Sequence, residues 1–125
     1  MRKQYHLRKT DQGFDAWDVD RLIEASKSFP VVSLDLDDIE ELDENFWYNG
    51  DTDIPTCRSI GQHVQLINEA NLSFPVILSA ENRVMDGMHR IVRALSLGHQ
   101  TIDAVIFENT PPPDFRDVLE EDLSY

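Results

Sequence analysis

Apolar and polar residues are spaced along this chain with two periods, and the switches between them mark the expected elements. Between Phe14 and Phe29 the apolar positions Phe14, Trp17, Leu22, Ile23 and Ala25 stand among charged residues, which predicts a helix ended by Pro30. Val31-Val32-Ser33-Leu34-Asp35-Leu36 alternates and predicts a strand. Asp37–Glu41 reads as a helical turn. Leu42–Pro55, rich in Asp, Asn and Gly, reads as a loop carrying the aromatic run Phe46-Trp47-Tyr48. Thr56 is a good N-cap for a helix from Cys57 to about Ala70, with Ile60, Val64 and Ile67 at i, i+4 and i+7 as its expected buried face. Phe74–Ser79 is a short apolar strand, Ala80–Arg83 a turn, and Arg83-Val84-Met85 the second strand of a hairpin. Asp86-Gly87 then turns the chain into a helix that Gly98 stops, with Met88, Ile91 and Leu95 expected to face the core. Thr101–Phe107 reads as the last strand.

This order predicts an α/β (α+β) domain built on one mixed sheet over residues 14–110. A polar arm at Met1–Gly13 precedes it. Pro111-Pro112-Pro113 breaks regular structure after it, and an acidic tail completes 111–125. The chain of 125 residues is one domain's length, and 41% hydrophobic residues are enough to form a core. Its lone cysteine, Cys57, can form no internal disulfide, which points to a reducing, cytoplasmic setting. No Cys/His cluster has zinc spacing, no apolar run approaches the roughly 20 residues of a membrane span, and the basic start Met1–His6 lacks the apolar segment of a secretory signal.

Charge narrows the partners. With 24 acidic residues against 11 Lys and Arg, the formal net charge is −13. Phosphate contacts dominate nucleic-acid affinity, so this chain is not expected to bind DNA or RNA unaided. Local positive charge is correspondingly informative, and it gathers at Asp86-Gly87-Met88-His89-Arg90, with Arg93 one turn on. Glycine there permits a left-handed turn and close approach of a ligand, and the first helical turn leaves amides and a dipole that favour an anion. One imidazole and two guanidiniums over such amides suit a phosphate chain, Arg90 first because its fork can grip two oxygens. The alternative is that Arg90 and Arg93 simply pair with some of the many carboxylates.

The run Pro75-Val76-Ile77-Leu78 … Arg83–Arg90 … Ala94–Gly98 resembles the ParB/sulfiredoxin superfamily, and the likeness extends from about Val31 to Phe107. It is nearest to small stand-alone ParB-like proteins carrying Asp-Gly-Met-His-Arg. The resemblance implies a small mixed sheet flanked by helices, and a nucleotide ligand: ATP or ADP, or CTP, with Mg²⁺. In sulfiredoxins a Gly-Cys-His-Arg turn contacts ATP phosphates; His89 and Arg90 match it, and Met88 replaces the catalytic cysteine. A thioether has no ionisable S–H, so sulfinic-acid repair is not expected. In ParB proteins Gly-x-Arg-Arg holds CTP phosphates; Gly87 and Arg90 match, and His89 replaces the first arginine. In archaeal free-serine kinases the motif is Asp-Gly-His-His-Arg; Asp86, Gly87, His89 and Arg90 match and Met88 departs. That branch also uses a glutamate after the first strand as base, for which Glu44 is the nearest match and Asp43 competes.

On this reading Gly87, Met88, His89, Arg90 and Arg93 bind phosphates, Asp86 binds Mg²⁺ or a substrate hydroxyl, and Glu44 is the base of an ATP- or ADP-dependent phosphotransfer to a small molecule. The alternative is a non-enzymatic, nucleotide-gated or protein-binding module of a partition or regulatory system. ParB clamps carry a separate DNA-binding region, for which this chain has no room after the motif. Cys57, beside Arg58 at a helix start, reads as structural despite the features that lower a thiol pKa. His63 reads as a structural residue or an indirect support of the site, and Arg58 as a residue able to reach it. Phe46-Trp47-Tyr48 reads as a lid packed on the core, with ligand stacking as the alternative. The acidic tail reads as a solvated end, or as a docking segment.

Overall fold

In the structure, a computed structural model, residues 3–48 and 50–124 are described. In chain order they form β1 (Tyr5–Thr10), β2 (Gly13–Asp18), α1 (Val19–Ser26), β3 (Val32–Asp35), α2 (Cys57–Glu69), β4 (Val76–Leu78), β5 (Val84–Asp86), α3 (Met88–Ser96), β6 (Thr101–Ile106) and β7 (Phe115–Val118). Three 3-10 turns lie at Leu36–Asp38, Glu40–Asp43 and Glu120–Asp122. Helices and two sheets make a small α+β domain. Among the described residues no helix is long and apolar enough to cross a membrane.

The four expected strands do share one mixed sheet, in the order β3-β6-β4-β5. β4 runs parallel to β6, and the other pairs are antiparallel. Alternate side chains of a strand point to opposite faces. Val76, Leu78 and Val84 therefore join Met88, Ile91 and Ala94 of α3 in one core, whereas Ile77 and Met85 join Trp17, Leu22 and Phe107 in a second core on the other face.

A second sheet, β1-β2-β7, corrects three expectations. Tyr5–Thr10 is not a free arm: a two-residue turn at Asp11-Gln12 pairs it with Gly13–Asp18 from Tyr5↔Asp18 to Thr10↔Gly13. Met1 and Arg2 lie outside the described residues. The helix expected from Phe14 begins only at Val19, because Phe14–Trp17 is spent on the hairpin and Asp18 caps the helix, its Oδ1 accepting from the Asp20 amide at 2.9 Å. Thr101–Ile106 is not the last strand. The chain after the prolines returns to β2, where Asp114 accepts from the Asp18 amide at 2.7 Å and from Arg21 at 2.8 Å, and Trp17 Nε1 donates to the Pro111 carbonyl at 2.8 Å. The acidic tail is thus partly a strand, and Leu123 is buried.

α2 supplies a fourth correction. Thr56 caps it as expected, its Oγ1 accepting from the Ser59 amide at 3.1 Å. No residue of α2 is buried, however, and Ile60 and Val64 are 48% and 47% exposed. The half-covered residues are Ser59, His63, Ile67 and Ala70, a helical stripe that keeps Ile67 from the expected face and puts Ser59 and His63 in place of Ile60 and Val64. Leu95 of α3 is likewise exposed, and Ala94 takes the core position.

Candidate functional site

β5 ends at Asp86 and α3 begins at Met88, so Gly87 carries the whole change of direction. It does so at φ 109°, ψ 22°, in the left-handed region. Space demands glycine as well: a Cβ there would lie 2.6 Å from Val76 Cγ1 and 2.9 Å from Arg90 Nη2. No side chain caps α3. The Ile91 amide donates to the Gly87 carbonyl at 3.0 Å, and among the described residues no acceptor meets the amides of Met88, His89 and Arg90.

The structure separates the side chains that the motif places together. Arg90 Nη2 is 2.6 Å from Asp86 Oδ2, and Nη1 donates to the carbonyls of Phe74 and Pro75 at 3.3 Å each. The two side chains are only 16% and 17% exposed. Arg90 thus ties the turn to the start of β4, and the fork expected to be open to a ligand grips protein groups. Asp86, expected to face Mg²⁺ or a hydroxyl, is its partner. Arg93 Nη1 donates to the carbonyls of Ile67 and Asn68 in the last turn of α2, the former also accepting from the Ala70 amide. The rival expectation for Arg90, a carboxylate partner, is what the geometry has; Arg93 finds carbonyls instead.

His89 points to a different neighbour, one that sequence spacing does not reveal. Its Nε2 lies 2.9 Å from His63 Nδ1, so the two imidazoles share a hydrogen bond between α3 and α2. Trp47 lies over both, with ring centroids 4.2 Å from His63 and 4.9 Å from His89 and planes within 16°. Tyr48 meets His63 edge-on, and its hydroxyl is 3.0 Å from Ser59 Oγ. The aromatic run is therefore a cover that pins the loop to α2 and α3. Burial depresses both imidazole pKa values; for His89 the neighbouring His63 adds to this, and for His63 Asp53 opposes it. Both rings are held toward the neutral form.

Glu44 lines a separate small cleft of about 160 Å³ with Trp47, Tyr48 and Met88. Its carboxylate takes Arg83 Nη2 at 2.6 Å and Nη1 at 3.0 Å, and this bonding holds it below the ordinary carboxylate range, which lowers its strength as a base. Arg83 also meets Glu40 at 3.1 Å and Glu41 at 3.5 Å. Glu41, which the sequence reading passed over, is the buried member, 3% exposed. Its Oε2 accepts from the Val84 amide at 2.5 Å, and its Oε1 meets no partner among the described residues. Among the described residues no hydrogen bond or ion pair joins Asp43 to the Asp86–Arg90 turn. Cys57 is exposed. Among the described residues no three His, Cys, Asp or Glu side chains are grouped to hold a metal ion.

Three open grooves meet at the Gly87 turn. One of about 460 Å³ runs past Trp47 and His89 toward Lys3, one of about 500 Å³ runs between α3 and the end of α2, and one of about 520 Å³ lies between α1 and the start of β4. Gln4 and Asp86 line all three. Gln4, on the segment expected to be an arm, is a lining residue that only the β1–β2 hairpin brings here. Comparison with protein-family models, with curated proteins and with solved structures found no match to this chain.

Proposed function

We propose that this domain binds a nucleotide through its phosphates at the Gly87 turn. The observation that carries the reading is the head of α3: three consecutive amides without acceptors among the described residues and no capping side chain, at a turn whose residues line three grooves. The likeness of Asp86–Arg90 to ParB/sulfiredoxin motifs supports the same ligand, with ATP, ADP or CTP as candidates. Arg90 serves here as a positioning residue that holds the turn, and the phosphates take the amides themselves. His89, kept neutral, offers a hydrogen bond rather than a charge. Mg²⁺ in this reading arrives on the phosphates, since it is usually held by one or two carboxylates and substrate oxygens.

Transfer of phosphate from ATP or ADP to a small molecule is the reaction such a site would serve, with a nucleotide-gated, non-enzymatic module as the second reading. The second gains from Glu44, whose bidentate hold on Arg83 leaves the proposed base weak and engaged. The acidic charge of −13 supports a partner other than free DNA in either case.

A thermal-shift panel of ATP, ADP, CTP and GTP with Mg²⁺ tests the proposal. A nucleotide at a hundred times its Kd should add about 2.7 kcal/mol of stability. No stabilisation by any of the four at millimolar concentration rejects the reading. Nucleotide-dependent phosphorylation of a small molecule then separates enzyme from module.

A further inference from the structure

The groove between α1 and the start of β4 is built differently from the other two. Val19 and Ile23 form one wall, Phe74 and Pro75 the other, and the buried Ile77 the floor. Ile23 is 41% and Phe74 61% exposed, so two large apolar side chains are left to water in one cleft. Leaving such surface exposed forgoes hydrophobic stabilisation, and an apolar cleft with a few polar groups at one end is the usual shape of a small-molecule site. Asp20, Ser26 and Lys27 add polar groups on the α1 side, and the polar end is the Asp86–Arg90 pair with Gln4. Asp86, Arg90 and Gln4 also line the groove at the head of α3, so the cleft is continuous with the free amides.

We propose that this cleft receives the nucleoside body of the ligand, its planar base between Ile23 and Phe74. The proposal rests on the reading that the phosphates sit at the Gly87 turn. A planar ring covers apolar surface on both faces, which suits a slot with two apolar walls. The side-chain amide of Gln4 offers both a donor and an acceptor to a base edge or a ribose hydroxyl, and no hydrogen bond to it occurs among the described residues. Arg90, bonded to the carbonyls of Phe74 and Pro75, then fixes the distance between the slot and the amides.

Calorimetric titration of ATP and of inorganic tripolyphosphate, each with Mg²⁺, separates the two halves of the ligand. The variants are Ile23→Ser and Phe74→Ser, which change no charge and, at exposed positions, are mild for the fold. Wild type should bind ATP at least about tenfold more tightly than tripolyphosphate, a difference of about 1.4 kcal/mol. Either variant should lose most of that advantage and keep its tripolyphosphate affinity. If tripolyphosphate binds wild type as tightly as ATP, or both variants bind ATP as wild type does, the body lies elsewhere and this proposal fails while the phosphate reading stands. If wild type binds neither probe, both fail. A sedimenting dimer that either variant dissociates would make the cleft a contact between copies and would also overturn the proposal.

Discussion

Helices α2 and α3 carry nearly the same apolar spacing and end in opposite surroundings. Ile60, Val64 and Ile67 of α2 stand at i, i+4 and i+7, and Met88, Ile91 and Leu95 of α3 at i, i+3 and i+7. α3 lies on the four-stranded sheet and buries Met88, Ile91 and Ala94. α2 lies on α3 and buries nothing. What docks it is largely polar: the His63–His89 hydrogen bond, the Arg93 guanidinium on its last carbonyls, and Trp47 over both imidazoles. The lesson is that a helical period says a face exists, not that the sheet lies under it. α2, with exposed Ile60 and Val64, belongs to the weakly anchored part of the molecule.

The largest expected effect sharpens this contrast directly. Ile91, with no exposed surface, should cost about 3 kcal/mol when cut to alanine, through lost burial and the cavity left behind. Val64→Ala, at a half-exposed position, should stay within about 0.5 kcal/mol. Urea unfolding of the two variants measures both. Equal losses would mean that α2 is covered in solution and that the comparison is wrong.

Next in size is the pair of arginines. Arg90→Ala leaves Asp86 half-buried without its partner and frees two carbonyls, for a loss of about 2 kcal/mol. Arg90→Lys should recover only part, because an ammonium cannot span the carboxylate and the carbonyls with one planar fork. Arg93→Ala, which removes only hydrogen bonds to the end of α2, should cost about 1 kcal/mol. Chemical denaturation of the three variants checks the order, and an Arg90→Ala protein as stable as wild type would return that side chain to the ligand.

The smallest effect is a pH dependence at the junction of the two helices. His63 and His89 both titrate below the ordinary value of 6.5 in the folded protein. As pH falls through 6.5 the unfolded chain takes up protons first, so the stability contributed by the neutral pair is complete above that pH and is lost as pH drops toward the folded values. His6, pushed down to about 4 by burial, acts in the same direction but is common to both proteins compared. His63→Gln should therefore give a shallower fall in Tm between about pH 7.5 and 5.5 than wild type. Parallel curves would mean that the imidazole pair does not couple α2 to α3.

Much of this was legible in sequence. The hairpin β4–β5, the turn at Gly87, the cap at Thr56 and the stop at Gly98 (φ 80°) all rest on local rules. The candidate turn was legible for the same reason. The partners of its side chains were not. Arg90 reaches Phe74 and Pro75 across 16 and 15 residues, His89 reaches His63 across 26, and Glu41 reaches the Val84 amide across 43.

The sequence by itself determined where the chain bends and which stretches become helix or strand when their contacts are near in the chain. Glycine conformations, caps and alternation act within a few residues, so their cause is visible where they act. The tertiary structure alone decided that Phe115–Val118 returns to β2, that Arg90 reaches the carbonyls of Phe74 and Pro75, and that His89 meets His63. Those outcomes depend on which charged or apolar group is brought within reach from far along the chain. In a chain with 24 carboxylates and 11 Lys and Arg, local spacing names many possible partners for a guanidinium, and only packing selects one.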